Sequence, residues 1–95
     1  MLLSALILAQ LALPSAEFDH PAENMIVRHH SPTQVERRCR VHWPQHRGQI
    51  VGCALLVRNE RICIVYLPHE ASVGPAAYER IYRHERGHCN GWRHV

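Results

Sequence analysis

A chain of 95 residues holds one small domain at most, and this one carries a formal charge of +3 with its nine histidines neutral. All eleven basic residues are arginines, scattered along the chain, and the longest basic run is RRCR at Arg37–Arg40. With no aromatic pattern beside that run, the composition argues against a nucleic-acid partner and leaves most charges to a solvated surface.

Residues 1–16, MLLSALILAQLALPSA, contain no charged side chain, and the small residues Ser15 and Ala16 end the apolar run. This pattern predicts a secretory signal segment cut after Ala16. The run is shorter than the roughly 17–25 residues of a membrane span, so no stable span is expected. An exported protein, periplasmic or secreted, follows. The remaining chain is a marginal length for a self-sufficient core, where small domains add disulfides or a metal. Cys39, Cys53, Cys63 and Cys89 supply two disulfides in such a compartment, with three pairings open.

Residues 17–34 mix Pro, His and acidic side chains without a period and read as an irregular N-terminal arm, with His29 and His30 exposed on it. VERRCRVHW, residues 35–43, alternates loosely and predicts a strand ended by Pro44. PQHRG reads as a turn. QIVGCALLV (49–57) is nearly continuously apolar, and RICIVYLP (61–68) is rich in β-branched residues; together they predict a hairpin. A three-residue loop centred on Arg58 would place Cys53 opposite Cys63. A different loop length would move that register, so Cys39–Cys89 and the crossed pairings stay open as well.

HEASVG reads as a loop. Pro75 suits the first position of a helix, capped by Ser72 or Gly74 and running to about Asn90. Ala77, Ile81, His84 and His88 share one face of it, and Gly91 is a natural stop. The expected fold class is α+β: over residues 35–95, a small antiparallel sheet, hairpin plus one strand, packs on the C-terminal helix.

That helix carries HERGHCNGWRH, residues 84–94. Histidines four apart project from one helix face, so the imidazoles of His84 and His88 can converge on one Zn²⁺ ion. Glu85 points sideways from that face, within reach of a metal-bound water as general base without being a ligand. His94 lies too far along to share the face, and a turn at Gly91 is needed to bring it back as third ligand. A bare H-E-x-x-H arises by chance in several of every hundred shuffled chains of this composition; requiring Gly91 and His94 as well lowers that to the order of a few in ten thousand.

The stretch resembles the zinc signature of metzincin-type metallopeptidases, within the wider zincin class. The resemblance implies zinc held by His84, His88 and His94, Glu85 as general base, and a peptide or protein substrate. It also implies an edge strand that holds the substrate extended, a place for RICIVYLP or QIVGCALLV. Metzincins further carry a methionine-containing turn and a cleft wall downstream of the third histidine. Here only Val95 follows His94, and the methionines are Met1 and Met25. The expectation is therefore a minimal zincin-like domain whose cleft a partner chain completes, or whose activity is weak. The alternative is a non-catalytic binding module, or a subunit of an envelope assembly, stabilised by zinc and disulfides.

Other residues have two readings. Tyr78 and Tyr82 are core residues with satisfied hydroxyls, or groups that polarise a carbonyl. Trp92 packs the turn before His94, or meets substrate. Cys89 reads as a disulfide or buried thiol rather than a ligand, because neighbouring helix positions diverge. His42, His46 and His69 have no spacing that defines a second metal site.

Overall fold

The computed structural model describes residues 11–57 and 59–94. Residues 1–10 of the expected signal segment lie outside the described residues. Six elements follow in order: β1 (Met25–His30), α1 (Pro32–Arg40), β2 (Cys53–Val57), β3 (Ile62–Pro68), α2 (Glu70–Val73) and α3 (Pro75–Cys89). The fold is α+β, with α3 packed on a three-stranded sheet of order β1-β3-β2. Among the described residues no helix is long and apolar enough to cross a membrane.

β2 and β3 form the expected antiparallel hairpin. Its register puts Cys53 opposite Tyr66 and Leu56 opposite Cys63, because Val57 pairs with Ile62 around a longer loop than the three residues expected. The disulfides are accordingly Cys39–Cys53 and Cys63–Cys89.

The third strand is not the one expected. β1 comes from the stretch read as an irregular arm, and it pairs parallel to β3, making the sheet mixed. Residues 35–43, expected as a strand, instead lie mostly in α1. Ser31 caps that helix by accepting a hydrogen bond from the Gln34 N–H (3.2 Å), and Pro32 occupies its first turn. Val35 and Cys39, four apart, are fully buried, while Val41, on the same face in the strand reading, is three-quarters exposed. HEASVG is also more regular than a loop, because it contains α2. Gly74 rather than Ser72 is the N-cap of α3.

β3 feeds both sides of the sheet. Cys63, Val65 and Leu67 pack with Val73, Ala77 and Ile81 in the core beneath α3. Tyr66, pointing the other way, joins Val35, Cys39, Ile50 and Cys53 under α1. Each core therefore carries one disulfide. The two clusters fix α3 against one face of the sheet and anchor the start of β2 on the other. That places the end of α3, residues 84–88, beside the N-terminal half of β2.

Candidate metal centre

α3 runs through the motif and ends where the sequence predicts. Asn90 is its last cap residue, and Gly91 adopts φ 100°, the left-handed conformation that favours glycine. The Gly91 N–H then donates to the His88 carbonyl (3.1 Å) and the Trp92 N–H to the Gly87 carbonyl (3.0 Å). This reversal folds the tail back over the helix. Trp92 stacks on His88, with ring centroids 4.8 Å apart, and His94 arrives 4.7 Å from His88 and 5.3 Å from His84.

One ligand atom from each of His84, His88 and His94 lies within 4.8 Å of the others. The tautomers of two rings follow from their hydrogen bonds. His84 Nδ1 is 2.6 Å from the Ala12 carbonyl oxygen, and His88 Nδ1 is 2.8 Å from that of Trp92. A carbonyl only accepts, so each Nδ1 donates, and each neutral ring presents a bare Nε2 lone pair. Those two Nε2 atoms face each other at 3.3 Å. Two lone pairs so placed repel unless a proton or a cation sits between them. Burial disfavours the proton: it pushes His84 down to about 4 and His88 below the usual imidazole range. A cation fits. In a tetrahedron with metal–nitrogen bonds of about 2.0–2.1 Å, the nitrogens stand about 3.3–3.4 Å apart. The three histidines can thus hold a metal ion. Two of them carry the backbone acceptors that metal-binding histidines usually have.

Glu85 follows His84 and is 4 % exposed. Its carboxyl makes no hydrogen bond among the described residues, and burial pushes it up to about 8. It opens instead onto a cleft of about 480 Å³, shared with the three histidines. Gly52, at the approach to β2, leaves room for it: a Cβ there would lie 3.3 Å from Glu85 Oε2.

The cleft has two further walls. One is β2 itself, through Cys53–Leu56. The other is the segment between α1 and β2, which contributes Trp43, His46 and Ile50. The Cys39–Cys53 disulfide closes this segment into a loop. Arg40 splints it from inside, donating to the carbonyls of His46 and Gly48 at 2.8 Å each. Glu36 pairs with Arg40 and accepts the Ile50 N–H at 2.6 Å. His46 and Trp43 therefore belong to the site, although no metal-ligand spacing points to them; only the disulfide pairing, once known, would have.

The remaining candidates lie elsewhere. Tyr78 packs against the α3 core and its hydroxyl meets His29 Nε2 at 2.7 Å; burial raises its pKa. Tyr82 stacks against Tyr78, with Arg86 over its ring. Neither lines the cleft. His29 and His69 stack near Tyr78, and His30 lies near Tyr66. Cys89 is in a disulfide, and Trp92 packs the turn.

Compared with known protein families, curated proteins and solved structures, the chain matches none.

Proposed function

We propose that this chain is a small exported zinc peptidase in which His84, His88 and His94 hold the ion and Glu85 handles the protons of amide hydrolysis. The observation that carries this reading is the pair of bare Nε2 atoms facing each other at 3.3 Å, with His94 beside them in the wall of a cleft. The likeness of residues 84–94 to the metzincin signature supports it, and the two disulfides support an oxidising compartment.

Zinc suits nitrogen ligands in a tetrahedron, and with three of them it supplies a Lewis acid with one open position, able to polarise a carbonyl and acidify water. The chain does the rest. Glu85 lies on the ligand helix itself and lines the cleft, and among the described residues nothing occupies its oxygens. It accepts a proton from the attacking water and delivers it to the leaving nitrogen. β2 is an edge of the sheet and β3 its centre, so of the two hairpin strands only β2 is open to strand addition. An extended peptide pairing with that edge runs past the histidines. Trp43, Ile50 and Leu56 receive its side chains. The disulfide-closed loop forms the opposing wall, so the reading needs no partner chain.

A purely structural metal is less well supported. Each core already carries a disulfide, and the histidines open onto a cleft. Metal content and peptide cleavage test the proposal together. The purified chain should hold near-stoichiometric zinc and cut extended peptides. Glu85→Gln should keep the zinc and lose roughly 10²–10⁴-fold in turnover. A folded chain that takes up no zinc at neutral pH would sink the proposal, and an unchanged Glu85→Gln rate would remove Glu85 from its role.

A further inference from the structure

The segment before β1 runs along α3 for the length of the motif. Its contacts advance in step with the helix. The Leu11 carbonyl accepts from Arg80 Nε at 2.5 Å, and the Ala12 carbonyl from His84 Nδ1 at 2.6 Å. Pro14 is buried, with its ring over Gly87, where a Cβ would come within 2.8 Å of Pro14 Cβ and Cγ. The chain then turns at Ser15–Asp19 through N–H bonds from Phe18 and Asp19 to the Ser15 carbonyl. Beyond the turn, Asp19 pairs with Arg83 (2.5 Å) and Arg86 (2.9 Å). Asn90 donates to the carbonyls of Phe18 and His20.

A neutral imidazole that binds a metal through Nε2 must keep its proton on Nδ1, and an acceptor aligned with that proton fixes both tautomer and ring orientation. For His88 the acceptor is local, four residues on. For His84 it is 72 residues away in sequence. We propose that residues Leu11–His20 are a strap belonging to the metal centre, with the Ala12 carbonyl as the group that positions His84. This rests on the zinc reading above and deepens it: the acceptor that orients one ligand comes from outside the motif. The exposed turn at Ser15–Glu17 separates the half of the strap that holds His84 from the half that Asp19 anchors. Cleavage after Ala16 would sever the two halves, and once the first had left, His84 would have no acceptor. The zinc peptidase proposed above is therefore the chain that keeps Leu11–Ala16, and the cut expected after Ala16 would turn its metal site down.

Gly87→Ala in the full chain tests this. Alanine favours a helix over glycine, yet its methyl would strike the Pro14 ring and lift the strap. Zinc affinity, read by competition with a chromophoric chelator, should fall roughly 10–100-fold. Pro14→Gly added to the same chain should restore most of it. The same Cβ would also stand 3.2 Å from Trp92 Cε3, a contact that Pro14→Gly cannot relieve. A loss that persists in the double variant therefore assigns the effect to Trp92 and overturns the proposal, as does an unchanged affinity in Gly87→Ala. A readout without metal separates this proposal from the zinc reading. The His84 Nδ1–H resonance should be protected from solvent exchange in the metal-free full chain and unprotected in Gly87→Ala. Protection in a chain that binds no zinc would defeat the zinc reading and leave the strap standing. An unprotected proton in the full chain would overturn the strap.

Discussion

A Cβ on Gly52 would lie 2.7 Å from Ile81 Cγ2 and 3.3 Å from Glu85 Oε2, so one hydrogen at this position separates the sheet from both the core and Glu85. Ile81 is fully buried and cannot retreat without opening the core under α3. Gly52→Ala should therefore cost about 1–3 kcal/mol, the usual range for forcing a methyl into a packed site. It should also push the Glu85 carboxylate off its place, so turnover falls while zinc content stays near that of the unmodified chain. Thermal unfolding, metal content and peptide cleavage of one preparation check all three. At this scale the convergence of His84, His88 and His94 was readable from sequence, because spacings of four on a helix and a glycine before the third histidine have geometric meaning. Gly52 was not: its role depends on which helix crosses β2, and a lone glycine in an apolar run carries no such message. The acceptors of His84 and His88 were hidden more deeply, since they are backbone carbonyls of Ala12 and Trp92 and no side chain marks them.

Among the elements, the strap is held to α3 by one buried-side ion triad, which gives it a defined acid limit. The Arg83 guanidinium, helped by Arg86 and opposed by partial burial, lowers Asp19 to about 2. Its unfolded value is about 3.9, so the triad stabilises the docked strap fully above that pH and the contribution is lost as pH falls toward about 2. Native-state proteolysis at the Ser15–Glu17 turn, by an acid-active protease, should thus rise between about pH 4 and pH 2. Asp19→Asn should be cut faster than the unmodified chain at pH 5 and should show no rise across that window; a rise unchanged by Asp19→Asn would assign it to other groups. The same scale shows what the sequence left ambiguous. VERRCRVHW alternates well enough for a strand, but Ser31-Pro32 ahead of it is a helix start, and Val35 and Cys39 also fit a helical face. The Ser31 cap, with Arg37 and Arg38 exposed while Val35 and Cys39 are buried, decides for α1. Met25–His30 lacked a visible partner in sequence; it becomes a strand because β3 offers an open edge, a tertiary cause that local pattern does not contain.

For the whole molecule, the question is whether a metal held by the three histidines would be a staple or a reagent, and the placement of the disulfides makes the two separable. Cys39–Cys53 ties α1 to β2 in one core, and Cys63–Cys89 ties β3 to the end of α3 in the other. Loops with sequence separations of 14 and 26 residues are each worth about 3 kcal/mol in unfolded-state entropy. Together that is about 6 kcal/mol, just above the lower end of the roughly 5–15 kcal/mol that holds a typical domain folded. The three histidines, by contrast, join the end of α3 only to its own tail, a link between residues already close in sequence. Stripping zinc with a chelator should therefore lower the melting temperature by the binding free energy alone and leave far-ultraviolet circular dichroism at 25 °C unchanged. Reduction under native conditions should unfold most of the chain even with zinc present. The opposite pair of results, unfolding on chelation and survival on reduction, would make the metal the staple and favour a non-catalytic module. The expected pair leaves the ion free for chemistry, in a cleft whose second wall comes from the Cys39–Cys53 loop upstream of the motif.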